Sequence, residues 1–284
     1  MDVSKEIAVL CEVLNISEGQ LAKQINVSLE TIHNWKYNIK NIDDSNLNNL
    51  YNFAYLKNIV FNDMYEQLLI EENNINNSII LFHGAKKEFN MLIDINAHSK
   101  MNNDFGVGFY LGETFKQASA YIANSNKNKV YAFKLNTKNK KIFKFNVDSK
   151  WMIAVAYFRG WLDDYKESKI IKEILKSIDK ADIIIAPIAD NRMFDIISDF
   201  SEGSITDLQC RHSLAATNLG NQYVLKTSKA INDLVLLKEM FVSSLEKESI
   251  INDRFEISHN GINKAKMARI EYRGKGKYIE ELLK

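Results

Sequence analysis

The chain is expected to fold as an α+β protein, with a small all-α domain over residues 1–72, a mixed sheet domain over 76–232 and a C-terminal helix with a basic tail over 233–284. Three observations predict this. The first seventy residues repeat apolar side chains at helical spacing behind natural cap residues. From Ile79 onward, β-prone runs alternate with helical stretches. Between them, Glu71 to Ser78 is dense in Asn and Glu and reads as a linker.

Composition narrows the classes. A length of 284 residues is ample for a buried core. With 37 basic and 36 acidic side chains the net charge is +1, so no polyelectrolyte partner is implied for the chain as a whole. Cys11 and Cys210 are too few and too far apart for a disulfide framework or a zinc cluster, and no metal site is expected. The start Met1-Asp2-Val3-Ser4-Lys5-Glu6 is not a cationic segment followed by an apolar core, and no apolar run reaches membrane-spanning length. A cytoplasmic protein without a membrane partner is the expectation.

In the head, Glu6 to Leu14 carries Ile7, Leu10, Val13 and Leu14 on one helical face. Ser17 and Ser28 are placed to cap two short helices separated by a tight turn through Asn26, with Leu21, Ala22, Ile32 and Trp35 inward. This pattern over residues 17–37 resembles a repressor-type helix-turn-helix, whose second helix would turn Ser28, Glu30, Thr31, His33, Asn34 and Lys36 outward to read base edges. The unit lacks arginines to anchor phosphates, so protein docking is the alternative to DNA contact. Leu47 to Ile70 reads as one further helical stretch.

In the sheet domain, Ser78 to Phe82 is a strand that ends on His83-Gly84. Val107 to Leu111 reads as a short strand, Lys116 to Tyr121 as a helix, and Lys129 to Leu135 and Lys141 to Phe145 as strands. Lys150 to Tyr165 and Glu167 to Ile178 read as helices, and Ala181 to Ile188 as an apolar strand containing the single proline, Pro187. Ser204 to Arg211 reads as a short helix, Asn221 to Lys226 as a late strand, and Asp233 to Glu248 as a helix. The tail from His259 gathers Arg269, Arg273, Lys275 and Lys277 around Gly274 and Gly276, as a solvated end or a nucleic-acid or partner contact.

The chemistry-bearing residues cluster in three places. Tyr110 and Tyr121 stand eleven residues apart around a turn punctuated by Gly106 and Gly108, where bare backbone can approach a ligand. Such a strand–turn–helix can present two phenol faces to one flat ring. His83-Gly84 closes an early strand, and Asn221-Gln222-Tyr223 opens a late one.

In that order these pieces resemble the ADP-ribosyltransferase fold, in its His-Tyr-Glu subgroup of diphtheria-toxin-like and poly(ADP-ribose) polymerase enzymes. The resemblance is nearest to uncharacterised bacterial ADP-ribosyltransferase-like domains and covers about Ile79 to Thr227. It implies a split β-sheet and NAD as substrate. By resemblance His83 bonds the adenosine ribose, the Gly84 backbone holds the nicotinamide carboxamide, and Tyr110 and Tyr121 sandwich the nicotinamide ring. The family's carboxamide-binding serine falls on Ala118, with Ser119 beside it.

One position departs from the family. Gln222 stands where its glutamate would, keeping an acceptor oxygen while losing charge and basicity. Chain elongation is therefore not expected; single transfer is, onto an acceptor that needs little activation. Glu113, Asp190 and Glu202 are nearby carboxylates that would restore charge, and Arg211 and His212 are candidates for contact with a protein or nucleic-acid acceptor. The resemblance implies a mono-ADP-ribosyltransferase acting as a toxin or phage-defence effector, with an antitoxin as a possible partner. The alternatives are an NAD- or ADP-ribose-binding sensor of weak activity and a regulator acting through the helix-turn-helix.

Overall fold

The computed structural model describes residues 2–73, 77–86, 93–95, 102–189, 191–215 and 219–284. Five helices open the chain: α1 (Ser4–Val13), α2 (Glu18–Gln24), α3 (Leu29–Lys36), α4 (Asp44–Leu56) and α5 (Phe61–Glu72). Ser17, Ser28 and Asp43 cap α2, α3 and α4 by accepting from the third helical amide, which satisfies an otherwise orphaned donor. The stops are equally regular. Asn15, Asn26, Asn38 and Asn58 each adopt positive φ just past a helix, and the next residue (Ile16, Val27, Ile39 or Ile59) donates its N–H back to Cys11, Ala22, Asn34 or Ala54. These are Schellman closures with asparagine in the left-handed position. Asn58 divides the expected single stretch of Leu47 to Ile70 into α4 and α5.

The sheet holds β1 (Ser78–Gly84), β2 (Phe109–Gly112), β3 (Lys129–Asn136), β4 (Ile142–Lys144), β5 (Ile183–Pro187), β6 (Asn221–Leu225) and β7 (Leu234–Phe241). Its order is β4-β5-β6-β2-β1-β3-β7, antiparallel throughout except for β4 against β5. Among the described residues this is one continuous mixed sheet rather than two. It narrows at one seam, however: β1 and β2 share a single register pair, Phe82 with Gly112, whereas β1 and β3 pair along the whole of β1.

β7 corrects the expected helix over Asp233 to Glu248 and the expected domain boundary at residue 232. Leu234 to Phe241 pairs with β3 and completes the sheet; the helix, α12 (Ser244–Glu271), begins only after a capping box at Ser243. The register slips at Ala132/Phe133, leaving Leu237 as an extra residue in β7. That bulge breaks the period of two and leaves apolar residues at a spacing that imitates a helix.

Helices cover the sheet unevenly. α7 (Ser149–Phe158), α8 (Lys169–Asp179), α9 (Asn191–Ser201) and α10 (Asp207–Ala215) build a core of Trp151, Ile174, Ile197 and Leu214 against Ile184, Ala186 and Val224. On the other half α6 (Phe115–Ile122) and α12 pack on Phe82, Val130, Ala132 and Met240. The alternate residues Leu81, Phe109, Leu111, Phe133 and Leu225 form a third cluster, on the opposite face, joined by Ala230 of α11 (Ser228–Ile231).

The head is tied to this sheet. Phe241 enters the core of the first helices, Tyr51 meets it edge-on at 5.5 Å, and Asn62 donates to the Phe241 carbonyl and to Glu246. The basic tail is bound down too. Lys275 and Lys277 carbonyls accept from Thr206 Oγ1 and the Asp207 amide, and α13 (Ile279–Leu283) buries Ile279 and Leu283. No described helix is long and apolar enough to cross a membrane.

Candidate functional site

His83, Tyr110 and Gln222 lie on three adjacent strands, β1, β2 and β6, at the narrow seam. Gly112 of β2 is paired with Phe82 on one side and Gln222 on the other. Where main-chain pairing between β1 and β2 stops, the His83 imidazole takes over: its Nδ1 lies 2.8 Å from the Tyr110 carbonyl, and its ring stacks on Phe109 at 4.4 Å. A carbonyl only accepts, so Nδ1 carries the proton. By strand alternation the His83 ring is on the Leu81 face, while the Tyr110 ring and Gln222 point to the face of α7–α10.

Tyr110 anchors the glycine turn. Its hydroxyl donates to the Gly106 carbonyl at 2.7 Å and accepts from the Phe105 amide at 3.2 Å. Gly106 sits at φ +68°, closed to most side chains. Burial pushes the phenol far above its usual range, so this hydroxyl holds structure rather than trading protons. Lys226, just past β6, secures the same turn by donating to the Phe105 carbonyl at 2.7 Å and to the Val107 carbonyl. Burial lowers the Lys226 pKa, so the folded chain gives up that proton before the unfolded chain does. Stability therefore rises with pH from the lowered folded value toward the ordinary lysine value. Lys226→Met is expected to abolish that alkaline rise, cost about 1–2 kcal/mol at neutral pH and speed hydrogen exchange at the Phe105 amide. Unfolding midpoints across pH and exchange rates measure all three.

Gln222 is buried, and its Nε2 donates to Asp104 Oδ2 at 3.0 Å and to the Pro187 carbonyl at 3.3 Å. Asp104 Oδ1 in turn accepts from Arg159 at 2.6 Å, and the Arg159 guanidinium lies 4.0 Å over the Phe194 ring. Of the three carboxylates expected to restore charge, one bonds the residue beside Gln222. Glu202 accepts from Ser198 on α9, and Asp190 lies outside the described residues. Glu113 is close but engaged: its two oxygens accept from the Asn221 amide at 2.8 Å and side chain at 2.9 Å.

The corner between β2 and α6 clasps the entry to β6. Thr114 and Gln117 form a capping box; Gln117 Oε1 also accepts from the Glu113 amide, and its Nε2 reaches the Leu219 carbonyl at 2.6 Å. Gln117→Ala removes the three side-chain bonds, to the Glu113 and Thr114 amides and the Leu219 carbonyl, and is expected to cost about 2 kcal/mol, read as a drop in the unfolding midpoint. Beside this corner a cavity of about 300 Å³ opens between Ile70 of α5, Asn73, Ile79 and Leu81 of β1, Glu113, and Tyr223 of β6.

Gly84 has a packing reason of its own. A Cβ there would stand 2.2 Å from the Ala118 carbonyl oxygen, so only glycine lets α6 cross β1 this closely. Three other expectations need correction. Ser119 is fully buried and its hydroxyl donates to Lys116 within α6, so it turns no polar group toward a ligand. Tyr121 does not share Tyr110's surroundings: it is 58% exposed, with the Lys86 ammonium 4.1 Å over its ring. Arg211 and His212 lie on α10; Arg211 is exposed, but His212 stacks on Tyr272 at 3.7 Å and 5° and so staples α10 to α12. In the head, Lys36 pairs with Glu18 at 2.5 Å, which engages one of the few cations near α3.

The sequence comparison fits the boundaries of this sheet. Residues 79–236, more than half of the chain, match the family described as "Protein of unknown function (DUF3990)". The chain belongs to that family. The DUF3990 segment begins in β1, contains β2 to β6 and ends inside β7, so it includes every residue of the seam. Neither curated proteins nor solved structures yield a match.

Proposed function

We propose that the chain is a mono-ADP-ribosyltransferase that uses NAD as substrate. The observation that carries this reading is the seam itself: an imidazole leaving β1, bonded to the main chain of the tyrosine on β2, one strand away from an amide on β6. Transfer breaks the bond between the ribose anomeric carbon and the nicotinamide nitrogen, whose electron pair leaves with nicotinamide. The same carbon bonds to an acceptor nucleophile, which loses a proton.

The seam offers polar groups on both faces of the sheet, the His83 imidazole on one and the Gln222 amide on the other. The Tyr110 carbonyl accepts from His83 Nδ1 and so fixes the orientation of the imidazole at the seam. Gln222 supplies a neutral acceptor, which suits one transfer to a reactive nucleophile better than activation of a sugar hydroxyl for chain growth.

The test is incubation of the full chain with radiolabelled NAD and a cell lysate, followed by protease or nuclease digestion. Label in macromolecules, lost to one digestion and absent with His83→Ala, is the expected result. NAD bound without label transfer would instead favour a sensor, the reading that the missing charge at Gln222 supports.

A further inference from the structure

We propose that Asp104 is a positioning residue for that reaction, holding the negative charge that glutamine at 222 does not carry and fixing which atom of the Gln222 amide meets the substrate. This rests on the transferase reading of the seam.

The orientation follows from the acceptors around the amide. Nε2 of Gln222 faces two oxygens, Asp104 Oδ2 at 3.0 Å and the Pro187 carbonyl at 3.3 Å. The flipped amide would set oxygen against both, exchanging two hydrogen bonds for two repulsions. Oε1 is therefore turned away from them, and among the described residues no donor is set against it. It is the one acceptor the side chain has to offer a ribose hydroxyl.

The charge follows from the next link. Asp104 is 8% exposed and its other oxygen takes the Arg159 guanidinium, whose Nε is buried with no partner among the described residues. A hydrogen bond from an amide N–H to a carboxylate polarises the amide and strengthens its oxygen as an acceptor. Asp104 thus acts on the substrate through Gln222. The same geometry explains the departure from glutamate: a second carboxylate at 222 would meet Asp104 Oδ2 at hydrogen-bond distance with no proton between them, while Arg159 sits on the far oxygen.

A four-protein cycle tests this: the natural chain, Asp104→Asn, Gln222→Glu, and both together. Unfolding midpoints are taken at about pH 5.5 and about pH 8, with kcat and KM for nicotinamide release. In Gln222→Glu the crowded carboxyl has a raised folded pKa, so that variant is expected to lose stability as pH rises, far more than the natural chain. Asp104→Asn, whose amide tolerates either orientation of Gln222, should lower kcat roughly 10- to 100-fold with a smaller change in KM. In the double variant the amide introduced at position 104 donates to the new carboxylate. It should recover the midpoint at the higher pH and most of the kcat lost in Gln222→Glu.

A Gln222→Glu chain as stable as the natural one at both pH values, or a double variant no better than Gln222→Glu, overturns the pairing. A midpoint recovered without recovery of kcat overturns the positioning role. If the natural chain releases no nicotinamide, the transferase reading fails, and with it the role of Oε1. The midpoints would still decide whether the two side chains are coupled.

Discussion

Alanine in place of His83 is expected to lower kcat/KM for NAD cleavage about 100-fold, close to 3 kcal/mol of transition-state stabilisation. Two losses combine. The site loses its imidazole, and the seam loses the bond from Nδ1 to the Tyr110 carbonyl that stands in for main-chain pairing between β1 and β2. The structural share is small, about 1 kcal/mol for a single hydrogen bond, so the unfolding midpoint should fall by only a few degrees. His83→Asn separates the two, because its amide can still donate to that carbonyl. It should keep the midpoint of the natural chain and remain slow. Steady-state nicotinamide release and thermal unfolding on the same preparations measure both quantities.

Gly84→Ala, one residue on, should behave in the opposite way. The added Cβ would meet the Ala118 carbonyl oxygen at 2.2 Å and Ile122 Cγ2 at 3.1 Å. The first is backbone in α6, fixed at its start by the Thr114–Gln117 capping box and by Glu66, which accepts from the Phe115 amide. Neither side yields cheaply, and about 3 kcal/mol of destabilisation is expected, at the upper end of overpacking costs. For a chain of this size that is a fall of roughly 6–12 °C in the midpoint. A midpoint within a degree or two of the natural chain would mean that α6 is free to lift from β1.

Much of the local structure is readable from the chain, for local reasons. Ser17 and Ser28 announce their helices because a cap acts within three residues. Asn58 is a comparable stop signal, followed by Ile59 as Asn15 is by Ile16, yet a continuous apolar pattern from Leu47 to Ile70 hides it. β7 is disguised because one extra residue, Leu237, converts strand alternation into helix-like spacing. The order of His83, Tyr110 and Gln222 along the chain is legible, and so is the strand–turn–helix around the two tyrosines.

The groups that surround those residues are not. Asp104 reaches Gln222 across 118 positions of sequence, and Arg159 reaches Asp104 across 55. Lys226 crosses 121 positions to the Phe105 carbonyl. No periodicity or spacing encodes such contacts, since tertiary packing rather than local sequence brings the partners together. Ser119 is displaced by the helical turn itself: on α6 it faces inward, while Tyr121 two positions later faces out. Gln117, by contrast, is visible in principle as the last residue of the Thr114-Phe115-Lys116-Gln117 capping box.

The central claim is that NAD is cleaved at the seam between β1, β2 and β6. Its most direct test is nicotinamide release from NAD by the purified chain, followed over time beside His83→Ala. Steady release from the natural chain, with about a 100-fold lower rate in the variant, is the predicted result. No release from either protein, or equal release from both, would contradict it.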